Sequence, residues 1–285
     1  MTAPVRSLRH WLDDGAARLR NAGRDHPRDD ALRIASAVLK RSAGDIRMRD
    51  ADIAPDAFAD EFLGRIARRA LDEPLAYVCG ETGFRHLRLN CDARALIPRP
   101  ETELLIDLAL ERSAHGTAAD IGTGTGCLAL SLALEGRFDR VVAVDRSRPA
   151  LALAAENCRL VRPSVPVQLA YGDFVTMLRP GALQLLVSNP PYLTDAEWDV
   201  LDPSVKAWEP RLALPAGADG LAATRALLDE GRRVLAPGGW VALELDCRRA
   251  DASAVIAKDF GWTDVAVHHD LFGRERFLLA RRCSS

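Results

Sequence analysis

Asp120-Ile121-Gly122-Thr123-Gly124-Thr125-Gly126 is the stretch on which the reading of this chain turns. Thr117–Ile121 in front of it reads as a strand and Leu128–Leu134 behind it as a helix. A strand that passes into a helix through closely spaced glycines can bring its backbone against a ligand with no Cβ in the way. The helix start then offers unpaired N–H groups to an electronegative ligand group. Asp145 closes the next strand, 19 residues past Gly126, where a carboxylate can accept hydrogen bonds from ribose hydroxyls. Gly124-Thr125-Gly126-Cys127-Leu128-Ala129 also fits a dinucleotide fingerprint. The loop alone therefore leaves nicotinamide and S-adenosylmethionine open as cofactors.

Outward from the loop, strands and helices alternate. A helix over Thr102–Ser113 precedes it. After it come a strand at Val141–Val144, a helix at Arg148–Cys158, and strands at Val167–Ala170 and Leu185–Val187. A helix over Leu221–Leu235, ended by Pro237-Gly238-Gly239, is followed by strands at Trp240–Leu245 and Phe277–Ala280. Such alternation predicts an α/β fold, a Rossmann-like doubly wound, mostly parallel sheet, over residues 101–285. Residues 1–76 read as helical: Leu8, Leu12, Ala16 and Leu19 share one face, a second helix starts at Asp29 or Asp30, and a third covers Phe58–Leu71. Between them, residues 77–100 carry Leu87, Leu89, Cys91 and Ala93 at a spacing of two, which predicts a β-hairpin linker.

Composition narrows the function. The 285 residues carry a formal net charge of −2, which offers no global basic field for nucleic acid. No apolar run approaches the roughly 20 residues of a membrane helix, and the first residues lack a signal-peptide core. Six scattered cysteines form no C-x-x-C pair and no zinc-spaced cluster, so a metal site is not expected. Together these predict a cytoplasmic protein with reduced thiols.

Two further strand ends carry candidate chemistry. After the third strand of the alternating region, Asp173 could hydrogen-bond an adenine amino group, and Phe174 could pack on the purine face. After the fourth comes Ser188-Asn189-Pro190-Pro191-Tyr192. Successive prolines hold φ near −65° and lack N–H donors, so the Pro190 carbonyl can point into a pocket at a fixed angle. Asn189 adds a second acceptor through its side-chain oxygen, and two converging acceptors can grip both hydrogens of a planar –NH2. Tyr192 supplies a flat wall for a planar amide or base. A nicotinamide enzyme has no use for this arrangement. Cys127 reads as a packing residue or a thiol activated by a helix start, and His268 and His269 as surface or core histidines.

Asn189-Pro190-Pro191-Tyr192 resembles the signature of methyltransferases that act on planar nitrogens, whether exocyclic amines of DNA or glutamine amides of proteins. Glu73-Pro74-Leu75-Ala76-Tyr77, Gly80, Phe84, Leu96-Ile97-Pro98-Arg99-Pro100-Glu101-Thr102-Glu103, Glu209-Pro210-Arg211-Leu212-Ala213-Leu214 and Gly217-Ala218-Asp219-Gly220-Leu221 resemble the release factor glutamine methyltransferases, the HemK/PrmC group. Two places depart from that pattern: Gln184 stands where the family has Asp, and Leu245-Asp246-Cys247-Arg248-Arg249 replaces Ile-Gly-x-x-Gln.

The resemblance implies a class I S-adenosylmethionine-dependent methyltransferase whose helical N-terminal domain docks the protein substrate. It implies that Gly122, Thr123, Gly124, Thr125 and Gly126 cradle S-adenosyl-L-methionine, Asp145 holds its ribose, and Asp173 and Phe174 its adenine. It implies that Asn189, Pro190, Pro191 and Tyr192 hold the acceptor amide. The partner it implies is a class 1 peptide chain release factor of translation termination, methylated at the Gly-Gly-Gln glutamine. Arg99 and Glu101 read either as part of the wall between hairpin and cofactor pocket or as structural ion pairs. A ribosomal-protein glutamine methyltransferase, a DNA or RNA amino-methyltransferase, a non-catalytic binding module and a nicotinamide oxidoreductase are the alternatives.

Overall fold

The computed structural model describes residues 6–201, 203–210 and 218–284. The chain divides into two units, Met1–Thr82 and Gly83–Ser285.

The first unit is helical: α1 (Leu8–Asn21), α2 (Pro27–Leu39), α3 (Ala43–Met48), α4 (Phe58–Ala70) and α5 (Leu75–Cys79). The Ser7 hydroxyl caps α1 by accepting from the His10 N–H. Leu8, Leu12, Ala16 and Leu19 bury one face of α1 against a core that includes Ile34, Phe58, Phe62 and Ile66. The Phe58 and Phe62 rings stack with centroids 5.0 Å apart. The start expected for α2 at Asp29 or Asp30 moves back to Pro27, because the fixed φ of proline suits the first helical position and its missing N–H would have no partner there. Helices α3 and α5 escaped the sequence reading because a segment of 6 or 5 residues is too short to display a 3.6-residue repeat.

A hairpin of β1 (Glu81–Phe84) and β2 (Leu87–Asn90) straddles the division between the units. The second unit continues with a 3-10 turn at Pro100–Thr102, α6 (Glu103–Arg112), β3 (His115–Ile121), α7 (Cys127–Glu135), β4 (Arg137–Asp145), α8 (Arg148–Val161), β5 (Val167–Tyr171) and β6 (Leu183–Ser188). Then follow α9 (Asp195–Asp199), α10 (Pro203–Trp208), α11 (Ala222–Val234), β7 (Leu235–Glu244), α12 (Ala250–Asp259), β8 (Thr263–His269) and β9 (Glu275–Arg281). Seven strands form one sheet in the order β5-β4-β3-β6-β7-β9-β8. Neighbours are parallel from β5 to β7, while β9 runs antiparallel to both β7 and β8.

The two-residue period of the strands separates two cores. Ala118, Leu185, Val187, Phe277 and Leu279 pack under α6 and α7, while Ala119, Ile121, Leu186, Leu278 and Ala280 pack under α11 and α12. Both faces of the sheet are therefore covered by helices, as parallel strands require.

One expectation needs correction. Pro237-Gly238-Gly239 does not terminate α11. It lies inside β7 as a bulge: the register with β6 runs from Leu183↔Leu235 to Leu185↔Trp240, and Gly238 supplies a φ of 78°. The strand β8 and helix α12 were not anticipated, since Thr263–His269 is only half-buried and Ala250–Asp259 is built largely from small residues with a weak apolar stripe.

The two departures from the family pattern have local partners. Gln184 accepts the Thr117 N–H at 2.7 Å through Oε1, tying β6 to β3. Asp246 caps a 3-10 turn at Cys247–Arg249 by accepting the Arg248 N–H at 2.9 Å, and Arg249 donates to Glu197 at 2.7 Å.

Candidate active site

From β3 the chain moves outward through β4 and β5, then returns to the other side of β3 as β6. The connections that leave β3 and β6 pass to opposite faces of the sheet, to α7 on one and α11 on the other, which opens a crevice at the point where strand order reverses. A cavity fills this crevice, and every residue lining it belongs to the second unit.

The glycine loop forms one wall. The Gly122 and Thr123 N–H groups donate to the Val144 carbonyl at 2.8 and 3.0 Å, folding the loop over the end of β4. Gly122 and Gly124 have φ of 75° and 55°, a region L side chains rarely occupy, and a Cβ on Gly122 would project into open space. Beneath the loop Asp120 is fully buried. Its Oδ2 accepts from the Thr123 hydroxyl at 2.6 Å and the Ala129 N–H at 3.1 Å, while Oδ1 has no partner among the described residues. Burial pushes this carboxyl up to about 7.

Asp145 ends β4 at the cavity edge. Its two oxygens accept the Gly124 N–H at 2.9 Å and the Ser147 N–H at 2.8 Å, and burial holds its pKa above the usual carboxylate value. Asp173 and Phe174 follow β5 and also line the cavity. Asp173 is largely exposed and lies 3.9 Å from the Arg146 guanidinium.

The opposite wall follows β6. The Ser188 hydroxyl donates to the Ile121 carbonyl at 2.6 Å, stitching the ends of β6 and β3 together. Asn189, Pro190 and Pro191 then line the cavity. The Asn189 Nδ2 donates to the Thr102 hydroxyl at 3.3 Å, and Thr102 donates to the Glu244 carboxylate at 2.6 Å. Burial pushes Glu244 up to about 7, against the opposing pull of the Thr102 hydrogen bond. Tyr192 does not line the cavity. It sits half-buried beyond Pro191, in the field of Glu244 and Arg276, with burial raising its phenol to about 12. A Cβ on Gly220 would fall 2.4 Å from the Tyr192 carbonyl oxygen, so only glycine lets the entry to α11 lie against it.

Arg99 lines the cavity and also donates to both oxygens of the buried Glu209, at 2.7 and 2.9 Å, so it is wall and ion pair at once. Of the family-like strings, Arg211-Leu212-Ala213-Leu214 and Gly217 lie outside the described residues. Cys127 lines the cavity, but burial pushes its thiol up to about 12, which removes the activated-thiol reading. Neither His268 nor His269 lines it.

Sequence reasoning missed Asn157. It is fully buried on α8, accepts the Asn90 N–H at 2.7 Å, and donates to the Asn90 carbonyl at 3.1 Å and the Thr125 carbonyl at 2.8 Å. One amide thus ties the end of the hairpin to the glycine loop. A polar residue on the apolar face of a helix was the available signal.

The cavity therefore has a glycine-and-carboxylate end at β3, β4 and β5 and an Asn-Pro-Pro end at β6. Residues 10–80 match the family described as PrmC N-terminal domain, and residues 100–205 the Methyltransferase small domain. A release factor glutamine methyltransferase of Deinococcus radiodurans is 43% identical over 279 residues, across 96% of this chain and 98% of its own. The chain belongs to the release factor glutamine methyltransferase family. Another member, from Nitratidesulfovibrio vulgaris, is 40% identical over 265 residues, across 89% of each chain. Among solved structures, a methyltransferase from Pyrococcus furiosus aligns with a TM-score of 0.51 and 19% identity, over 68% of this chain and 88% of its own, a likeness of fold. As a release factor glutamine methyltransferase family member, the protein is a methyltransferase with the class I fold and a helical N-terminal domain. The nicotinamide reading of the glycine loop falls with that membership, since a tight glycine turn at a helix start serves either cofactor.

Proposed function

We propose that this enzyme transfers the methyl group of S-adenosyl-L-methionine to the side-chain amide nitrogen, N5, of the glutamine in the Gly-Gly-Gln motif of class 1 peptide chain release factors. The observation that carries the proposal is the orientation of Asn189: its Nδ2 is engaged by Thr102, which leaves Oδ1 as the group offered to the cavity, next to Pro190. The relatives from Deinococcus and Nitratidesulfovibrio, named as release factor glutamine methyltransferases, support it.

The cavity fits the cofactor at its glycine end. Gly122 and Gly124 leave the backbone bare, and Asp145 presents a carboxylate already set by two backbone N–H groups. Gly122, Thr123, Gly124, Thr125 and Gly126 would hold S-adenosyl-L-methionine together with Asp145, Asp173 and Phe174. When bound, it supplies an electrophilic methyl group on a sulfonium. At the other end, Asn189 Oδ1 and the Pro190 carbonyl would accept the two amide hydrogens, with Pro191 and Tyr192 backing that wall. An amide nitrogen is a weak nucleophile because its lone pair is delocalised. Two acceptors on its hydrogens stabilise the positive charge that grows on it as the new bond forms. They also fix its direction of approach, and alignment of this kind lowers barriers by up to about 7–11 kcal/mol. The N-terminal helices would engage the body of the release factor.

The test is methyl transfer from labelled S-adenosylmethionine, with purified release factor, ribosomal protein and duplex DNA offered separately and the label located by peptide mass spectrometry. A single methyl on the Gly-Gly-Gln glutamine is the expected result. Label confined to ribosomal protein or DNA would overturn the substrate. Asn189→Ala abolishes transfer and leaves cofactor binding mostly intact; loss of cofactor binding would refute its role as amide acceptor.

A further inference from the structure

The register of the sheet brings three polar side chains from distant parts of the chain into a line behind the acceptor wall. Ser188 of β6 pairs with Leu243 of β7, so Asn189 emerges beside Glu244. The 3-10 turn at Pro100–Thr102 places Thr102 between them, with 2.6 Å to the Glu244 carboxylate and 3.3 Å to the Asn189 amide. Thr102 and Glu244 are each 2% exposed, so water does not compete for either.

The direction of these bonds follows from what each group can do. An ionised carboxylate only accepts, and a hydroxyl has one proton. Once that proton is given to Glu244, the Thr102 oxygen can only accept. The group that Asn189 turns toward it must then be the –NH2, and the carbonyl Oδ1 is left for the cavity. With no such constraint the two ends of an amide occupy nearly the same space, and the –NH2 could equally face the substrate. It would then present donors to a substrate –NH2 that needs acceptors.

We propose that Glu244 and Thr102 are positioning residues that set the polarity of Asn189, holding its Oδ1 toward the methyl-accepting amide. The proposal rests on the reading of Asn189 as the amide acceptor given above. Glu244 acts at second hand through Thr102 and touches neither the substrate nor the methyl donor.

A pH dependence follows. A protonated carboxyl can donate as well as accept, so protonation of Glu244 permits the chain to run in reverse and the orientation of Asn189 is no longer enforced. Burial raises Glu244 to about 7, within the assay range. Arg276 on β9, Arg99 and Glu101 ahead of α6, Tyr192 after β6 and the Cys127 thiol at the start of α7 are the charged or titratable groups that face it. Turnover therefore falls as pH drops through the neutral range, and this limb belongs to Glu244.

The experiment uses the full chain, labelled S-adenosylmethionine and a bacterial class 1 release factor, with cofactor affinity from calorimetry. Thr102→Val removes the hydroxyl at nearly constant volume and lowers kcat roughly 10- to 100-fold, with cofactor affinity unchanged. Thr102→Ser restores the hydroxyl and recovers most of that loss, which a packing role would not predict. Glu244→Gln, close in shape, lowers kcat and removes the acid limb of the pH profile. Because the two residues act in one line, Thr102→Val combined with Glu244→Gln is no worse than Thr102→Val alone. Multiplicative losses in the double variant, or an unchanged acid limb in Glu244→Gln, would overturn the proposal. Asn189→Ala is measured alongside. If it retains transfer, the acceptor assignment itself has failed; if it is inactive while Thr102→Val and Glu244→Gln match the wild type, the positioning line alone has failed.

Discussion

Replacing Asn157 with alanine tests how the glycine-loop wall of the cavity is held. The side chain makes three hydrogen bonds in a site with no solvent access: one from the Asn90 N–H, one to the Asn90 carbonyl and one to the Thr125 carbonyl. Truncation leaves all three backbone groups without their partner. A buried hydrogen bond contributes about 1 kcal/mol net, and a stranded buried group costs about 1–3 kcal/mol, so the loss is about 3 kcal/mol or somewhat more. For a chain of this size that corresponds to a fall in Tm of about 5 °C. Urea unfolding followed by circular dichroism measures the loss. Titration with S-adenosylhomocysteine measures the functional consequence, a several-fold weaker affinity, because Thr125 is in the glycine loop and its carbonyl is one of the tethered groups. Asn157→Asp discriminates the mechanism. It keeps an acceptor for the Asn90 N–H but loses both donors and sets a carboxylate against two carbonyl oxygens, so it should be less stable than the alanine variant at pH 8. If Asn157→Ala unfolds within about 0.5 kcal/mol of the wild type, or if aspartate is tolerated better than alanine, the tether is not what holds the loop.

Three further outcomes can be checked. Asp120 has its pKa raised from 3.8 to about 7 by burial, so the folded state holds a proton that the unfolded state releases between those values. Stability relative to Asp120→Asn therefore grows as pH falls from about 7 to about 4, by up to about 4 kcal/mol, and thermal melts at pH 8 and pH 5 should show the gap changing in that direction. Gly220→Ala places a Cβ 2.4 Å from the Tyr192 carbonyl at a φ of 72°, which should cost about 1–3 kcal/mol and reduce methyl transfer without changing cofactor affinity in calorimetry. Arg99→Ala leaves the Glu209 carboxylate, only 3% exposed, without its cation, and should destabilise by about 2–4 kcal/mol in urea unfolding. Adding Glu209→Gln should then recover part of the loss, and a double variant as unstable as the single one would remove the ion pair from the account.

The strand-to-helix glycine loop, the alternation that follows it and the Asn-Pro-Pro-Tyr run were legible because each is a local constraint. Positive φ at Gly122 and Gly124, a fixed φ at Pro190 and Pro191, and an apolar period of two or 3.6 all act within a few neighbouring residues. What escaped had no strong local period. The small residues of α12 hide its stripe, and β8 is half-exposed. Pro237-Gly238-Gly239 looked like a helix stop, but tertiary pairing with β6 drew the chain into β7 two residues before the proline. Tyr192 shows the same limit at the site: its neighbours Asn189, Pro190 and Pro191 line the cavity, and it does not.

The sequence by itself therefore determined the class of fold, the position of the glycine loop and the Asn-Pro-Pro run after the fourth strand of the alternating sheet. Local chemistry dictates those, and its evidence lies within a dozen residues. Only the tertiary structure decided which groups stand behind Asn189. Thr102 lies 87 positions from Asn189 and Glu244 lies 142 positions from Thr102. They meet because parallel pairing sets Ser188 opposite Leu243 and because the turn after Arg99 folds back over that strand end. A hydrogen-bond partner at such separation is selected by strand register and by the exclusion of water from the core, two properties of the assembled sheet that no local pattern encodes.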